Sequence, residues 1–216
     1  MVHIEKTINK VYIIYEVRRM PKKNIYKLDD NKKIYTTAEL KTLGYAQYAI
    51  AKMLDLGIIN KISSSVYENV NYNGPELDFY YISPLIAGGI VCMLSAAVYY
   101  NLSSYWPNGI DVAVKKDKRI ATLPDTPIIN IYHFGKARYD IGIEKINENG
   151  NSFCIYDIEK TVIDILYFRN QVGIEETKEI LTNYLKRKDR NLIKLHKYAE
   201  KLQCEKILRT YLEVLV

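Results

Sequence analysis

Four ionisable side chains lie close together in one short segment: Asp157, Glu159, Lys160 and Asp164. Carboxylates beside a lysine can hold Mg²⁺ and activate water in nucleases and phosphoryl-transfer enzymes. The spacing also suits a structural role, because Glu159 would lie in the first turn of a helix that starts near residue 157, where it complements the helix dipole. Lys160 and Asp164 would then form an exposed pair one turn apart. We favour the structural interpretation and predict no metal site and no catalytic residue here.

The other residue types that carry chemistry form no recognisable cluster. The histidines and cysteines are widely separated: His3, His133, His196, Cys92, Cys154 and Cys204. Neither set has the spacing of a metal site. The number of cysteines is odd and they form no C-x-x-C motif, which favours a reducing cytoplasm over a disulfide framework. A Gly-rich phosphate loop, H-E-x-x-H and G-x-S-x-G are all absent from the sequence. We therefore expect no enzyme and no cofactor.

Positive charge is concentrated in the first third of the chain. The 216 residues carry a net charge of +6, and residues 1–70 contain 12 lysines and arginines against 7 acidic residues, an excess of +5. The remaining two thirds are close to neutral. This asymmetry favours an N-terminal module that faces phosphate groups.

The N-terminal third predicts three helices in succession. Apolar residues at helical spacing in residues 8–15 indicate a first helix that ends before Pro21. Thr36 or Thr37 can cap a second helix, with Gly44 past its end. Residues 46–57 form a third, which turns Ile50 and Met53 inward and terminates at Gly57. Short β-branched and aromatic runs then flank Ser63 and Ser64, which predicts a hairpin.

Three helices and a hairpin are the elements of a winged helix-turn-helix, which we assign to residues 1–72. Its third helix would enter the DNA major groove, while the hairpin, or wing, and the capped helix start would contact phosphates. The predicted DNA contacts are Thr36, Thr37, Gln47, Tyr48, Lys52, Lys61, Ser63, Ser64, Ser65 and Tyr67. The alternative is a winged helix that serves only as a protein adaptor and does not bind DNA.

The pattern changes near residue 79. Residues 79–110 carry no charge, but Pro84, the Gly88-Gly89 pair and the lack of flanking basic clusters favour a buried core helix over a membrane span. Beyond it we predict strands in residues 109–119 and 127–135, a strand leading into an amphipathic helix in residues 153–169, and a helical tail in residues 175–214. The fold class is α+β, with a larger mixed α/β C-terminal domain at residues 79–216.

Two motifs in this domain carry a resemblance to a known family. The first is Leu94-Ser95-Ala96-Ala97, in a predicted helix followed by a strand, and the second is the segment E-K-T-V-I-D-I-L at residues 159–166. Because these two motifs follow a predicted winged helix in this order, the chain resembles the AbiEi family of antitoxins from type IV toxin–antitoxin systems. The resemblance covers roughly residues 35–205. The motif positions that we single out are Ser95, Glu159, Lys160, Thr161 and Asp164.

The resemblance implies a cytoplasmic antitoxin without catalytic activity. It would repress its own operon by binding promoter DNA, expected at inverted repeats, and oppose a partner toxin of the nucleotidyltransferase type, with direct contact left open. No membrane partner is expected. One departure concerns the wing, since family members often carry Arg-Gly before the wing tyrosine, where this chain has Ser64 and Ser65 before Val66 and Tyr67. A serine keeps a hydrogen-bond donor for phosphate but lacks the charge.

Overall fold

The computed structural model describes residues 26–120 and 122–215, so the helix predicted in residues 8–15 lies outside the described residues. The fold is mixed α+β. The first group of elements, which we call the N-terminal module, comprises β1 (Ile34–Thr36), α1 (Thr37–Thr42), α2 (Gln47–Asp55), β2 (Ile59–Lys61) and β3 (Val66–Asn69). Its sheet has the order β1-β3-β2, and both pairings are antiparallel.

Local sequence signals account for these elements. Thr36 caps α1 through a reciprocal capping box: its side-chain oxygen accepts from the Glu39 backbone N–H at 3.2 Å, and the Glu39 carboxylate accepts from the Thr36 N–H at 2.7 Å. Gly44 and Gly57 follow α1 and α2 with φ of +90° and +65°, a conformation that favours glycine. The predicted cap of the second helix, the ends of the second and third helices and the hairpin are confirmed.

The second group contains five strands and eight helices within the described ranges. The strands are β4 (Ile90–Val91), β5 (Ile110–Lys115), β6 (Ile129–Phe134), β7 (Ile143–Glu148) and β8 (Asn151–Tyr156). After a 3-10 turn at Asp78–Tyr81, the helices are α3 (Ile82–Leu85), α4 (Met93–Tyr99), α5 (Lys136–Tyr139), α6 (Ile158–Tyr167), α7 (Arg169–Val172), α8 (Ile174–Lys186), α9 (Leu192–Lys201) and α10 (Glu205–Leu215). The strand order is β6-β5-β4-β8-β7, in which β5 pairs with β6, and β4 with β8, in parallel.

The uncharged stretch at residues 79–110 contains the predicted core helix as α4, whose residues Met93, Ala96 and Ala97 are buried. It is divided into the 3-10 turn, α3, the short strand β4 and α4. Gly88, with φ of +75°, turns the chain between α3 and β4. Within the described ranges, no helix has both the length and the apolarity that crossing a membrane requires.

Both faces of the five-stranded sheet are covered, and the side chains alternate between two cores. Ala113 and Tyr156 belong to the core formed with helices α4, α6, α8, α9 and α10. Val112 and Phe153, on the opposite face, belong to a second core that includes the 3-10 turn and α3. This second core also contains Ile34 and Val66 from the N-terminal module. The two groups of elements therefore share buried apolar surface, and the predicted boundary between residues 72 and 79 stays a prediction.

Candidate nucleic-acid interface and motif residues

Helix α2 presents a polar face to the surface. Gln47, Tyr48 and Lys52 are exposed, and 79% of Tyr48 is accessible. On the opposite face Ile50 and Met53 are fully buried. Because the apolar stripe fixes the helix on the module, the exposed side chains are free to contact a partner.

The β2–β3 hairpin lies beside the start of α1. Lys61, Ser64 and Ser65 are exposed, and Ser63 is half-buried. The backbone N–H of Thr37 donates to the Ser65 carbonyl at 2.9 Å, and the Thr37 hydroxyl donates to the same oxygen at 3.4 Å. The structure thus brings together the predicted helix start and hairpin tip.

Two of the ten predicted DNA contacts have other roles in the structure. Tyr67 is only 3% exposed and packs with Leu40 and Ile50 in the core of the N-terminal module, so its prediction as a DNA contact is wrong. The neighbouring Val66 faces the second core, because both faces of β3 are covered. The Thr36 hydroxyl is occupied by the capping box, in which it also donates to Glu39 Oε2 at 2.9 Å.

The motif around residue 159 builds the start of α6. Asp157 is the N-cap, and its carboxylate accepts from the Lys160 backbone N–H at 2.8 Å. Thr161 is buried, and its hydroxyl donates to the Asp157 carbonyl at 2.9 Å. The predicted helix start near residue 157 is confirmed.

Glu159 and Asp157 are held by helices α8 and α9 and by the segment between these helices. Glu159 accepts from the Tyr184 hydroxyl at 3.2 Å and from the Asn191 backbone N–H at 3.1 Å. Lys194 lies 3.1 Å from Asp157 and 3.2 Å from Glu159. Burial acts to lower the pKa of Lys194, but the two carboxylates outweigh it and raise that pKa to about 12. These carboxylates therefore tie α6 to the helical tail.

Lys160 and Asp164 form a buried ion pair rather than the exposed pair that we predicted. Lys160 is 0% exposed, its ammonium group contacts Asp164, and it lies 4.0 Å from the centre of the Tyr156 ring. Arg138 completes the cluster at 2.5 Å from Asp164 and packs 3.8 Å from the Tyr167 ring centre. Burial lowers the pKa of Lys160, and the Asp164 carboxylate offsets part of this effect. The prediction failed because α6 is covered on every side by the sheet and the C-terminal helices.

Arg138 could hardly be predicted as a member of this cluster. It lies 26 residues before Asp164 in the chain, within the four-residue helix α5. The only signal was indirect: two carboxylates and one lysine on a helix with a large apolar face would leave a charge that needs a partner.

Ser95 has a similar architectural position. It is 3% exposed, and its side-chain oxygen accepts from the Asp111 backbone N–H at 2.8 Å. The Asp111 carboxylate accepts in return from the backbone N–H of Leu94 at 3.1 Å and from Asn130 at 3.0 Å. Burial raises the pKa of Asp111, although these hydrogen bonds oppose the shift. Ser95 and Asp111 together join the start of α4 to β5.

Protein donors engage each carboxylate of the C-terminal motif. Across residues 26–120 and 122–215, no group of three or more histidine, cysteine, aspartate or glutamate side chains is arranged to hold a metal ion. The motif geometry is that of helix capping and ion pairing between elements.

Comparison with known proteins adds little to these observations. No protein-family model matches the chain, and no curated protein matches it. A crystal structure of the RV2827C protein from Mycobacterium tuberculosis is similar with a TM-score of 0.44 and 13% sequence identity, over 85% of this chain and 77% of that chain. A similarity at this level carries no argument about function, which must come from the residues themselves.

Proposed function

We propose that this chain is a cytoplasmic, DNA-binding antitoxin of the AbiEi kind, which represses its own operon and opposes a nucleotidyltransferase toxin. The observation that carries the proposal is the exposed face of α2, in a module whose described elements follow the order strand, helix, helix, hairpin. In this proposal residues 1–72 form a winged helix-turn-helix, and residues 79–216 form the antitoxin domain.

The exposed groups suit contact with duplex DNA. Gln47 can form two hydrogen bonds to an adenine edge in the major groove, and Lys52 can reach base edges or phosphates from the same face. Lys61 and the exposed hydroxyls of Ser64 and Ser65 offer a cation and donors to the phosphate backbone. The positive excess of residues 1–70 supplies the attraction that is independent of base sequence.

The motif residues support the second half of the proposal in a different way. Glu159, Lys160 and Asp164 are buried and engaged, so they hold the C-terminal domain together instead of acting on a substrate. Antitoxin activity that needs no catalysis is consistent with this arrangement. Direct contact with the toxin is not required by it.

DNA binding is tested by a gel-shift titration of the chain's own promoter at several salt concentrations. The double variant Lys52→Ala/Lys61→Ala should bind more weakly, and the slope of log K against log salt should fall by roughly two, about 0.9 for each lost phosphate contact. The matched control is Lys145→Ala/Lys197→Ala, which removes two exposed lysines from β7 and α9. Unchanged affinity in the first variant, or an equal loss in both, would contradict this interface.

The antitoxin role is tested in cells that express the partner toxin from the adjacent gene. The full-length Lys52→Ala/Lys61→Ala variant should still rescue growth while failing to repress a promoter fusion. If the variant loses both rescue and repression, the proposed assignment of DNA binding and antitoxin activity to separate domains is contradicted. A wild-type chain that shifts no promoter DNA but captures a protein would instead favour the adaptor alternative.

A further inference from the structure

A large cleft lies between the N-terminal module and the five-stranded sheet. Its volume is 960 Å³, and it is bordered by the β2–β3 hairpin, the 3-10 turn, and the loops on either side of β5. Aromatic rings and prolines form much of its wall: Phe79, Tyr81, Tyr99, Trp106, Pro107, Pro124 and Pro127. A concave apolar site of this size is in the range that binds a ligand or several side chains of a partner.

The cleft is acidic, although the chain as a whole is basic. Four carboxylates line it, those of Glu68, Glu76, Asp78 and Asp125, against one lysine, Lys61. A second lysine, the buried Lys33, lies 2.7 Å from Glu76 and 3.5 Å from Asp78. Among the residues that the structure describes, four negative and two positive groups leave an excess of two negative charges at the cleft.

Exposed aromatic surface accompanies this charge. Trp106 lines the cleft and is 76% exposed. Ile128, from the opposite loop, also lines the cleft and is 52% exposed. Tryptophan binds cations over its ring face, and it is among the residues that contribute most binding energy at protein interfaces. A tryptophan left in water in the same cleft as the exposed carboxylates of Glu76, Asp78 and Asp125 is suited to a partner that brings both a cation and apolar groups.

We propose that this cleft docks a segment of a protein partner that presents an arginine or lysine next to an apolar side chain. The cation would lie between Trp106 and the carboxylates of Asp125 and Glu76, and the apolar side chain would pack on the proline and aromatic wall. Nucleic acid does not fit the site, because its phosphates would face the excess negative charge. The proposal does not depend on DNA binding by the N-terminal module.

The experiment uses the full-length protein and two short peptides. The probe is a capped pentapeptide of sequence Gly-Arg-Leu-Arg-Gly, and its control replaces both arginines by glutamates. Trp106 is the chain's only tryptophan, so its fluorescence reports occupancy of the cleft directly. The basic peptide should change the emission in a saturable way that weakens with added salt, and the acidic peptide should leave the emission unchanged.

Calorimetry with variants locates the site. Trp106→Ala should weaken binding of the basic peptide about tenfold, as loss of an anchor residue does, and Asp125→Asn up to about fivefold, as loss of an exposed charge pair does. The controls are Tyr105→Ala and Asp117→Asn, which change exposed residues outside the cleft wall and should leave affinity unaltered. Equal losses in the controls, or no saturable binding by the wild type, would overturn the proposal.

Two further probes distinguish a protein segment from a small organic cation and from DNA as the ligand of the cleft. Arginine amide alone should bind at least tenfold more weakly than the peptide, because it lacks the apolar side chain. If it binds as tightly, the cleft is a site for a small organic cation and the docking proposal is wrong. Quenching of Trp106 by a short DNA duplex that competes with the peptide would also overturn it.

Discussion

The side chain of Asn151 holds the backbone around Lys33, joining strand β8 to the entry of strand β1. Its amide oxygen accepts from the Lys33 N–H at 2.7 Å, and its amide nitrogen donates to the Asn31 carbonyl at 2.8 Å. Asn151 is 5% exposed and Lys33 is 3% exposed, so no bulk water replaces the bond to the Lys33 N–H if it is lost. One amide thus satisfies two backbone groups of the N-terminal module from a strand more than a hundred residues later.

Replacing this amide should destabilise the whole protein. Asn151→Ala leaves the buried Lys33 N–H without its partner, and a buried polar group left unsatisfied costs about 1–3 kcal/mol, whereas Asn31 is exposed and water can replace its bond. We expect a loss of about 1–3 kcal/mol in the free energy of unfolding, measured by urea denaturation. Asn147→Ala, at an exposed position of the neighbouring strand, should change it by less than about 0.5 kcal/mol. Similar small changes in both variants would show that the Asn151 bonds do not couple the modules.

The buried cluster around Asp164 should be sensitive to loss of its carboxylate. Asp164→Ala strands Lys160 in the core without a counter-charge, and removal of one partner from a buried pair costs about 3–5 kcal/mol. The control is Asp189→Ala, which breaks the exposed pair with Arg187 and should leave the free energy of unfolding almost unchanged. Unfolding free energies from denaturant titrations compare the two. Equal costs would contradict the burial-based argument.

The capping box on α1 predicts a specific acid sensitivity. Burial acts to raise the pKa of Glu39, but the Lys32 ammonium and the Thr36 N–H outweigh it and hold that pKa below its ordinary value of 4.5. A carboxyl with a depressed folded-state pKa stabilises the fold above its unfolded pKa, and this stabilisation is lost as pH falls through the folded pKa. Glu39→Gln should therefore show a smaller drop in stability between pH 7 and pH 3 than the wild type does.

Denaturant titrations at a series of pH values measure the effect of Glu39. Glu200→Gln, which neutralises an exposed carboxyl outside any helix cap, should keep the wild-type pH dependence. If Glu39→Gln and the wild type lose equal stability on acidification, the Glu39 carboxylate does not stabilise the fold as described.

The hairpin tip offers a test in which DNA affinity should rise. Ser64 is exposed at a position where the resembled family often carries arginine, so Ser64→Arg adds a cation for a phosphate. The variant should bind promoter DNA more tightly, and its salt slope should steepen by about one. Asn170→Arg, at an exposed site in α7, adds the same charge far from the hairpin in sequence and serves as the control. If only the control gains affinity, the hairpin is not a DNA contact.

Magnesium provides a further check on the motif carboxylates. Because Asp157, Glu159 and Asp164 already face Lys194, Lys160 and Arg138, we expect the same melting temperature with magnesium and with excess chelator. A bound ion would instead raise the melting temperature by mass action. A metal-dependent rise that disappears in Glu159→Ala, together with cleavage of operator DNA, would move the protein to the enzyme class.

Local signals in the sequence predicted the N-terminal elements well, because they depend on nearby residues. The Thr36 cap, the glycines after α1 and α2, and the serines of the hairpin each act within a few positions. Burial was harder to predict. Tyr67 follows a serine run at the surface, yet it points into the core of the N-terminal module, where it packs with Leu40 and Ile50, and this burial depends on how the two helices pack against β3.

The same limit applied to the polar residues of the C-terminal part. Lys160 and Asp164 have the spacing of an ordinary surface pair, and only the helices that cover α6 turn them into a buried cluster with Arg138. The parallel pairing of β5 with β6 could not be predicted either, because the register between strands depends on the sheet as a whole.

The contact of Ile34 and Val66 with the second core restricts how this protein could be recombined with its relatives. A chimera that received the N-terminal module of another protein would bring foreign side chains to this seam and lose the fit against Phe153. A mismatch of one or two methyl groups there costs about 1–3 kcal/mol, so a functional graft would have to transfer both sides of the seam together. The seam, more than the linker between the modules, therefore sets which segments a chimera must exchange together.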